Sequence, residues 1–313
     1  MGMFETIYFL CIILIFAYLI YNYIKVEKNK KDMATKEEYN DLERYFYDNL
    51  KHLKHSSKRK IWIHVPFEKN SRKWLDFGSR NSNELNIPYV YLCLKSVIDK
   101  CGMDYDVIIY NDSNICNILD DCTIDLTTLS GEILEEYRKL MFCKILYEYG
   151  GVIMPFSFFC KKSIKEVDNT ELWWVSEVKN QGINVSQKNG IKSIELMGSS
   201  KKNENLNEFI EKYKETLKKD FGMEHNTFIT NNLQYISYLD GKIIGTKDEN
   251  NKFLGLEDLM SNNKINMVQD NVGIYVPHKE LLRRRHYNWF CYLSTDDLLI
   301  SKTFLSEYMS SNI

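Results

Sequence analysis

With 313 residues, 44% of them hydrophobic and 27% charged, the chain can bury a sizeable core and does not have the composition of a disordered segment. Its formal net charge of -2 excludes the strongly basic footprint of a nucleic-acid-binding domain, so no nucleic-acid partner is expected. No P-loop, Gly-x-Gly-x-x-Gly, nucleophile elbow or zinc signature occurs, which removes the enzyme classes those motifs define.

The first organised stretch is residues 4–24. From 6 to 24 it carries no charge, and its length suits a bilayer core of about 30 Å. Tyr18, Tyr21 and Tyr23 sit at its C-terminal end, where amphipathic rings favour the headgroup level. No basic n-region precedes the run and no small-x-small site follows it, so an uncleaved single-pass anchor is expected rather than a signal peptide. Lys25, Lys28, Lys30 and Lys31 follow the span, and the positive-inside rule then leaves the larger part on the cytoplasmic side. Cys93, Cys101, Cys116, Cys122, Cys143, Cys160 and Cys291 show no paired spacing and read as reduced core thiols, which agrees. Two sequons, Asn111-Asp112-Ser113 and Asn184-Val185-Ser186, would matter in a lumenal (ER or Golgi) domain.

Residues 25–58 are highly charged but carry Tyr39, Leu42, Tyr45, Phe46, Leu50 and Leu53 near helical spacing, as an amphipathic stalk would. The main domain, 59–313, begins with Ile61-Trp62-Ile63-His64-Val65, a short apolar run closed by Pro66 that reads as a buried strand. His64 at its end is a site candidate. Val90, Cys93, Leu94, Val97, Ile98 and Cys101 follow Pro88 at helical spacing. Tyr105-Asp106-Val107-Ile108-Ile109-Tyr110 is a second strand, closed by Asn111-Asp112-Ser113-Asn114. Strand, helix, strand implies a parallel pair, and polar residues just past such strand ends are where open α/β sheets bind ligands. Leu134, Tyr137, Met141 and Ile145 then mark a helix that runs into Leu146-Tyr147-Glu148-Tyr149-Gly150-Gly151, a glycine turn, and a buried strand through 160.

This series of elements resembles the capsular-polysaccharide and α-mannosyltransferase type of glycosyltransferase, family 32, over residues 60–165. The resemblance implies a GT-A-like α/β fold: a mixed, mostly parallel sheet flanked by helices. It also implies a nucleotide-sugar donor, a glycan or lipid-linked acceptor, and two aspartates two residues apart after the Gly-Gly turn. Such a pair shares one strand face and holds a divalent metal against the donor diphosphate. Here those places are Pro155, without a polar atom in its side chain, and Ser157, a neutral oxygen. The family's Asp and Arg in the preceding helix fall, by ungapped count, on Lys139 and Phe142. No cofactor and no metal ligand are therefore expected, and losing the Lewis acid forfeits several kcal/mol of transition-state stabilisation.

Fixed cations are the natural substitute for the metal. Arg284 and Arg285, in Arg283-Arg284-Arg285-His286, are the candidates, with Arg138, Lys161 and Lys162 as helpers. Asp112 and His286 are the candidate catalytic residues. The expected donor-binding set is His64, Arg80, Asp112, Arg138, Gly150, Gly151, Ser157, Arg284 and Arg285. The alternative is an inactive pseudo-glycosyltransferase that binds sugar or nucleotide, or serves as a membrane scaffold. Further on, 171–177 reads as a strand whose Trp173 and Trp174 point to opposite faces, so at least one belongs to the core. Asn205 starts a helix with an apolar stripe of Leu206, Phe209, Ile210, Tyr213 and Leu217, and 242–247 and 273–277 read as two more strands.

Overall fold

The computed structural model describes residues 3–47, 56–66, 87–168, 171–178, 191–219 and 237–313. Helix α1 (Met3–Glu43) holds 41 residues, a rod of about 60 Å at ~1.5 Å per residue. Its stretch Tyr8–Lys28, of mean hydropathy 2.0 and unburied, is long and apolar enough to cross a membrane. α1 runs without interruption from the apolar span into the first part of the charged stretch that follows it, ending at Glu43. It lands on the domain with Leu42, which is fully buried, while Tyr91 donates its hydroxyl to Asp41 at 2.9 Å. Beyond the helix, Phe46 pairs with Ile109, and the Ile109 N–H donates to the Tyr45 carbonyl at 2.8 Å. Leu50 and Leu53 lie outside the described residues.

The central sheet contains β1 (Arg59–His64), β2 (Tyr105–Tyr110), β3 (Gly151–Pro155), β5 (Leu172–Val178), β6 (Ile191–Ser199) and β7 (Ser237–Leu239). Its order is β2-β1-β3-β6-β5-β7, and only β6 runs against the others. A mixed, mostly parallel α/β sheet is thus what forms. Because side chains alternate, Ile61, Ile63, Val107, Ile109, Val152 and Met154 face α2 (Pro88–Cys101). Trp62, Ile108, Ile153 and Met197 face α4 (Gly131–Tyr149) and α5 (Glu204–Lys219) on the other side. A short α3 (Ile115–Ile118) follows β2.

Several expectations change. Pro155 ends β3, Phe156 and Ser157 turn, and β4 (Phe158–Cys160) leaves the central sheet to pair with β8 (Gly273–Tyr275), so the run 151–160 is two strands, not one. Residues 242–247 form turns rather than a strand, with a single bridge from Lys247 to Phe253. Asn203 caps α5 by accepting from the Leu206 N–H at 3.1 Å, two residues before the expected start. Cys116 and Cys122 are joined by a disulfide with Cα atoms 5.1 Å apart, against the reading of all core cysteines as thiols; Cys93, Cys101, Cys143, Cys160 and Cys291 are buried thiols as expected. The C-terminal part adds α6 (Leu256–Leu259), α7 (His278–Arg283), α8 (Thr295–Ile300) and α9 (Phe304–Ser310).

Candidate functional site

The register of β1 with its neighbours sets His64 level with Tyr110 and Pro155, so three parallel strands end along one edge. The chain beyond β2 is bent by Asn111, whose side-chain oxygen accepts from the Ser113 N–H and hydroxyl at 2.8 and 2.6 Å. That bend turns Asp112 toward β1 and α4. Arg138, on the second turn of α4, meets it in a fork, Nε donating to Oδ1 at 2.9 Å and Nη2 to Oδ2 at 2.5 Å. His64 Nε2 lies 2.9 Å from the same Oδ1.

The chain of charges continues. Arg138 Nη1 donates to Glu135 at 2.8 Å, and the other oxygen of Glu135 is 2.5 Å from the ammonium of Lys279, near the start of α7. His64, Asp112, Arg138, Glu135 and Lys279 thus link β1, the loop after β2, α4 and α7 at the C-terminal edge of the sheet. The inner three are 7%, 9% and 6% exposed, whereas most of the Lys279 side chain is open to solvent. The His64 ring packs on Tyr110 and Phe142, each centroid 5.3 Å away.

Burial alone would raise the Asp112 carboxyl, but the bonds from Arg138 and His64 prevail and hold it well below the usual carboxylate range. Burial likewise opposes charge on Arg138, and its bond and attraction to Asp112 reverse that effect and raise it. Glu135 is lowered because attraction to Lys279 outweighs burial. Burial, reinforced by the charge on Asp112, pushes the Tyr110 phenol well up. At neutral pH the inner set is therefore an ionised carboxylate clamped by a guanidinium.

The divalent metal implied by the family resemblance does not fit these residues. Pro155 offers no ligand, and Ser157, 2% exposed, donates its hydroxyl to the Val276 carbonyl at 2.7 Å. Phe156 between them packs edge-on against His278 at 4.7 Å. Among the described residues no group of three or more His, Cys, Asp or Glu is placed to hold a metal ion.

Of the expected donor-binding residues, His64, Asp112 and Arg138 come together. Gly150 and Gly151 do not: they lie at the opposite, N-terminal end of β3. Gly150 closes α4 at φ +68°, with its carbonyl accepting from Trp62 Nε1 at 3.0 Å. Gly151, at φ +109°, lies so close to β1 that a Cβ would stand 2.3 Å from the Lys60 carbonyl oxygen. Their role is backbone geometry. Ser157 belongs to the packing of the turn. Arg284 is ion-paired with Glu257 and Glu280, while Arg285 and His286 are exposed, His286 against the Tyr287 ring at 4.9 Å. Among the described residues no hydrogen bond or ion pair ties these three to the His64–Asp112–Arg138 set. Lys161 is bonded to Gln269 and Asn271, and Lys162 to Glu166 and Asp270, so both helpers serve local structure. Trp173 is core, donating to Asp168 at 2.8 Å. Arg80 lies outside the described residues.

Glu135 and Lys279 were not foreseen. Glu135, three residues before Arg138, carried a readable signal in the i, i+3 spacing. Lys279 had none, since only the fold brings α7 to α4.

No known protein-family model matches the chain, and no curated protein matches it. Among solved structures, the PaToxG glycosyltransferase is similar over 65% of this chain and 79% of its own, with 10% identity and a TM-score of 0.35. The galactosyltransferase LgtC, in complex with donor and acceptor sugar analogs, is similar over 81% of this chain and 96% of its own, with 12% identity and a TM-score of 0.37.

Proposed function

We propose that this chain is a membrane-anchored, glycosyltransferase-like protein that transfers a sugar from a nucleotide-sugar donor to a glycan or lipid-linked acceptor without the paired-aspartate metal site. The observation that carries this reading is the charged set at the C-terminal edge of β1 and β2, where open α/β sheets bind ligands. Lys279 supplies the cation that the metal would have supplied. Among the described residues its ammonium is tethered by a single carboxylate; it is open to solvent and lies on the helix that packs over the tip of β3. A preset point charge at the departing diphosphate stabilises the leaving group without recruiting an ion. Arg138 is too fully engaged to do so directly and instead fixes Asp112. The filled strand tip at Phe156 and Ser157 favours a second reading, an inactive relative that keeps the donor site for binding or scaffolding alone.

The test is calorimetric titration of the full chain, in detergent micelles, with UDP, GDP, UDP-glucose and GDP-mannose, with and without Mn²⁺. Metal-free binding that weakens at least tenfold in Lys279→Met is expected, with Arg284→Ala unchanged. No binding at millimolar ligand sinks both readings. Binding that strictly needs Mn²⁺ refutes the tethered-cation account. Binding without turnover of either sugar nucleotide supports the second reading.

A further inference from the structure

Residues 248–254 and 258–266, on either side of the short helix α6, enclose a cavity of about 210 Å³. The two stretches are tied to each other and to the helix. The Glu249 N–H donates to the Asn266 carbonyl at 3.0 Å, and the Gly255 N–H donates to Asp258 Oδ2 at 3.0 Å. The cavity is therefore held open by bonds within the chain, as ligand sites commonly are before the ligand arrives. None of its lining residues belongs to the His64–Asp112–Arg138–Glu135–Lys279 set. Sites for drug-sized ligands run to about 300–1,000 Å³, so this one has room for a single small ring.

The polar groups of the lining are balanced in charge and mixed in character. Asp258 is paired with Lys252 at 2.6 Å. Asp248, 9% exposed, accepts from the Asn250 and Lys252 N–H groups through Oδ1, both at 2.8 Å, and among the described residues Oδ2 accepts no hydrogen bond. Lys264 brings the opposing charge. The side-chain amides of Asn250, Asn263 and Asn266 likewise make no hydrogen bond among the described residues, and Leu254 and Ile265 add apolar wall.

We propose that this cavity is a subsite for one neutral sugar unit of a glycan, apart from the place of transfer. Each amide offers two donors and a carbonyl acceptor, while a carboxylate oxygen only accepts. A phosphate would meet the Asp248 carboxylate, and a metal ion would meet the Lys252 and Lys264 ammoniums. A hexose ring satisfies the whole lining: each hydroxyl both donates and accepts, and its C–H face suits Leu254 and Ile265. The role of the subsite rests on the glycan-acceptor reading above and adds a second point of attachment to it. Glu257, within α6, is ion-paired with Arg284 just past α7, so the cavity is braced against the helix that carries Lys279.

The test is saturation-transfer NMR on the full chain in micelles of a zwitterionic detergent without a sugar headgroup. The probes are the methyl glycosides of glucose, galactose, mannose and N-acetylglucosamine. At least one is expected to bind in the millimolar range. Its affinity should fall about tenfold or more in Asp248→Asn, which keeps one acceptor for the two N–H groups but turns the free oxygen into a donor. Asn266→Leu, at an exposed position, should weaken it similarly, and Lys279→Met should leave it unchanged. Failure of all four glycosides to bind the unaltered chain at millimolar concentration overturns the proposal, and misfolding of a variant cannot excuse that result. Binding that disappears in Lys279→Met but is indifferent to Asp248→Asn and Asn266→Leu places the sugar at the transfer site and overturns it too. Ca²⁺ or inorganic phosphate bound in place of the glycosides, and lost in the same two variants, does likewise. Nucleotide binding without glycoside binding sinks the subsite and spares the donor site. Glycoside binding that depends on Asp248 in a chain that binds no nucleotide upholds the subsite and sinks the donor reading.

Discussion

Replacing Arg138 by Met removes both partners of the Asp112 fork and leaves a buried carboxylate with one imidazole for company. Arg138 and Asp112 are 6% and 9% exposed, so water does not readily take over the lost bonds. Breaking a buried pair from one side costs about 3–5 kcal/mol, because the uncompensated charge remains. With ~2–4 °C lost per kcal/mol in a domain of this size, the melting midpoint should fall by about 6–20 °C. The assay is thermal unfolding of the full chain in micelles, followed by near-ultraviolet circular dichroism, with the double variant Arg138→Met/Asp112→Leu alongside. The double variant should regain most of the loss, since an apolar pair of similar volume is often neutral. A single-variant loss below about 1 kcal/mol, or strict additivity in the double, would refute the picture of Asp112 as an ionised, clamped carboxylate.

Other expectations follow from the same contacts. Gly151→Ala must place a methyl against the Lys60 carbonyl at φ +109°, and should cost more than about 2 kcal/mol; Gly131→Ala, at φ +64° with nothing within 4 Å of the new methyl, should cost only about 1–2, and equal melting shifts would contradict this. Trp62→Phe leaves the buried Gly150 carbonyl without its 3.0 Å donor and should lose about 1–3 kcal/mol in denaturant unfolding. Asp112 and Glu135 both have carboxyls depressed in the folded state. Their stabilisation is complete above the unfolded values near ~4 and disappears as pH falls through the folded ones, so stability should drop on acidification below about pH 5. Glu135→Gln should flatten the upper part of that fall, and an unchanged pH profile would count against the pairing with Lys279.

Most of the central sheet was legible because local signals agreed with one another. The apolar run 61–65, the stripe after Pro88 and the Gly150-Gly151 stop each match an observed boundary to within a few residues. The misreadings have separate physical causes. In 151–160 the hydrophobicity is continuous, but Pro155 lacks the N–H that would extend the ladder, so the run divides between two sheets. In 242–247 the apolar Ile243 and Ile244 suggest a strand, yet Gly245 takes a positive φ against the Gly273 carbonyl and the chain turns. The site divided likewise. His64 and Asp112 could be placed near one another because strand ends are identifiable in sequence, and the two side chains do meet. For the arginine cluster, a row of like charges in sequence says nothing about which carboxylates await it; Glu257 and Glu280 hold Arg284. Lys279 reaches Glu135 only through the tertiary path of the C-terminal part.

The strand-like pairing of Phe46 with Ile109 bears on how this protein can be handled. β2 is the outermost strand of the sheet, and the segment that follows the long helix shields its free edge. A version of the chain cut at residue 58 to shed the apolar helix would also strip that cover, exposing backbone donors and acceptors ready to recruit a second molecule. Aggregation or strand-exchanged dimers in such a preparation would be a consequence of the cut, and solubilisation in micelles from a start well before Leu42 keeps the edge closed.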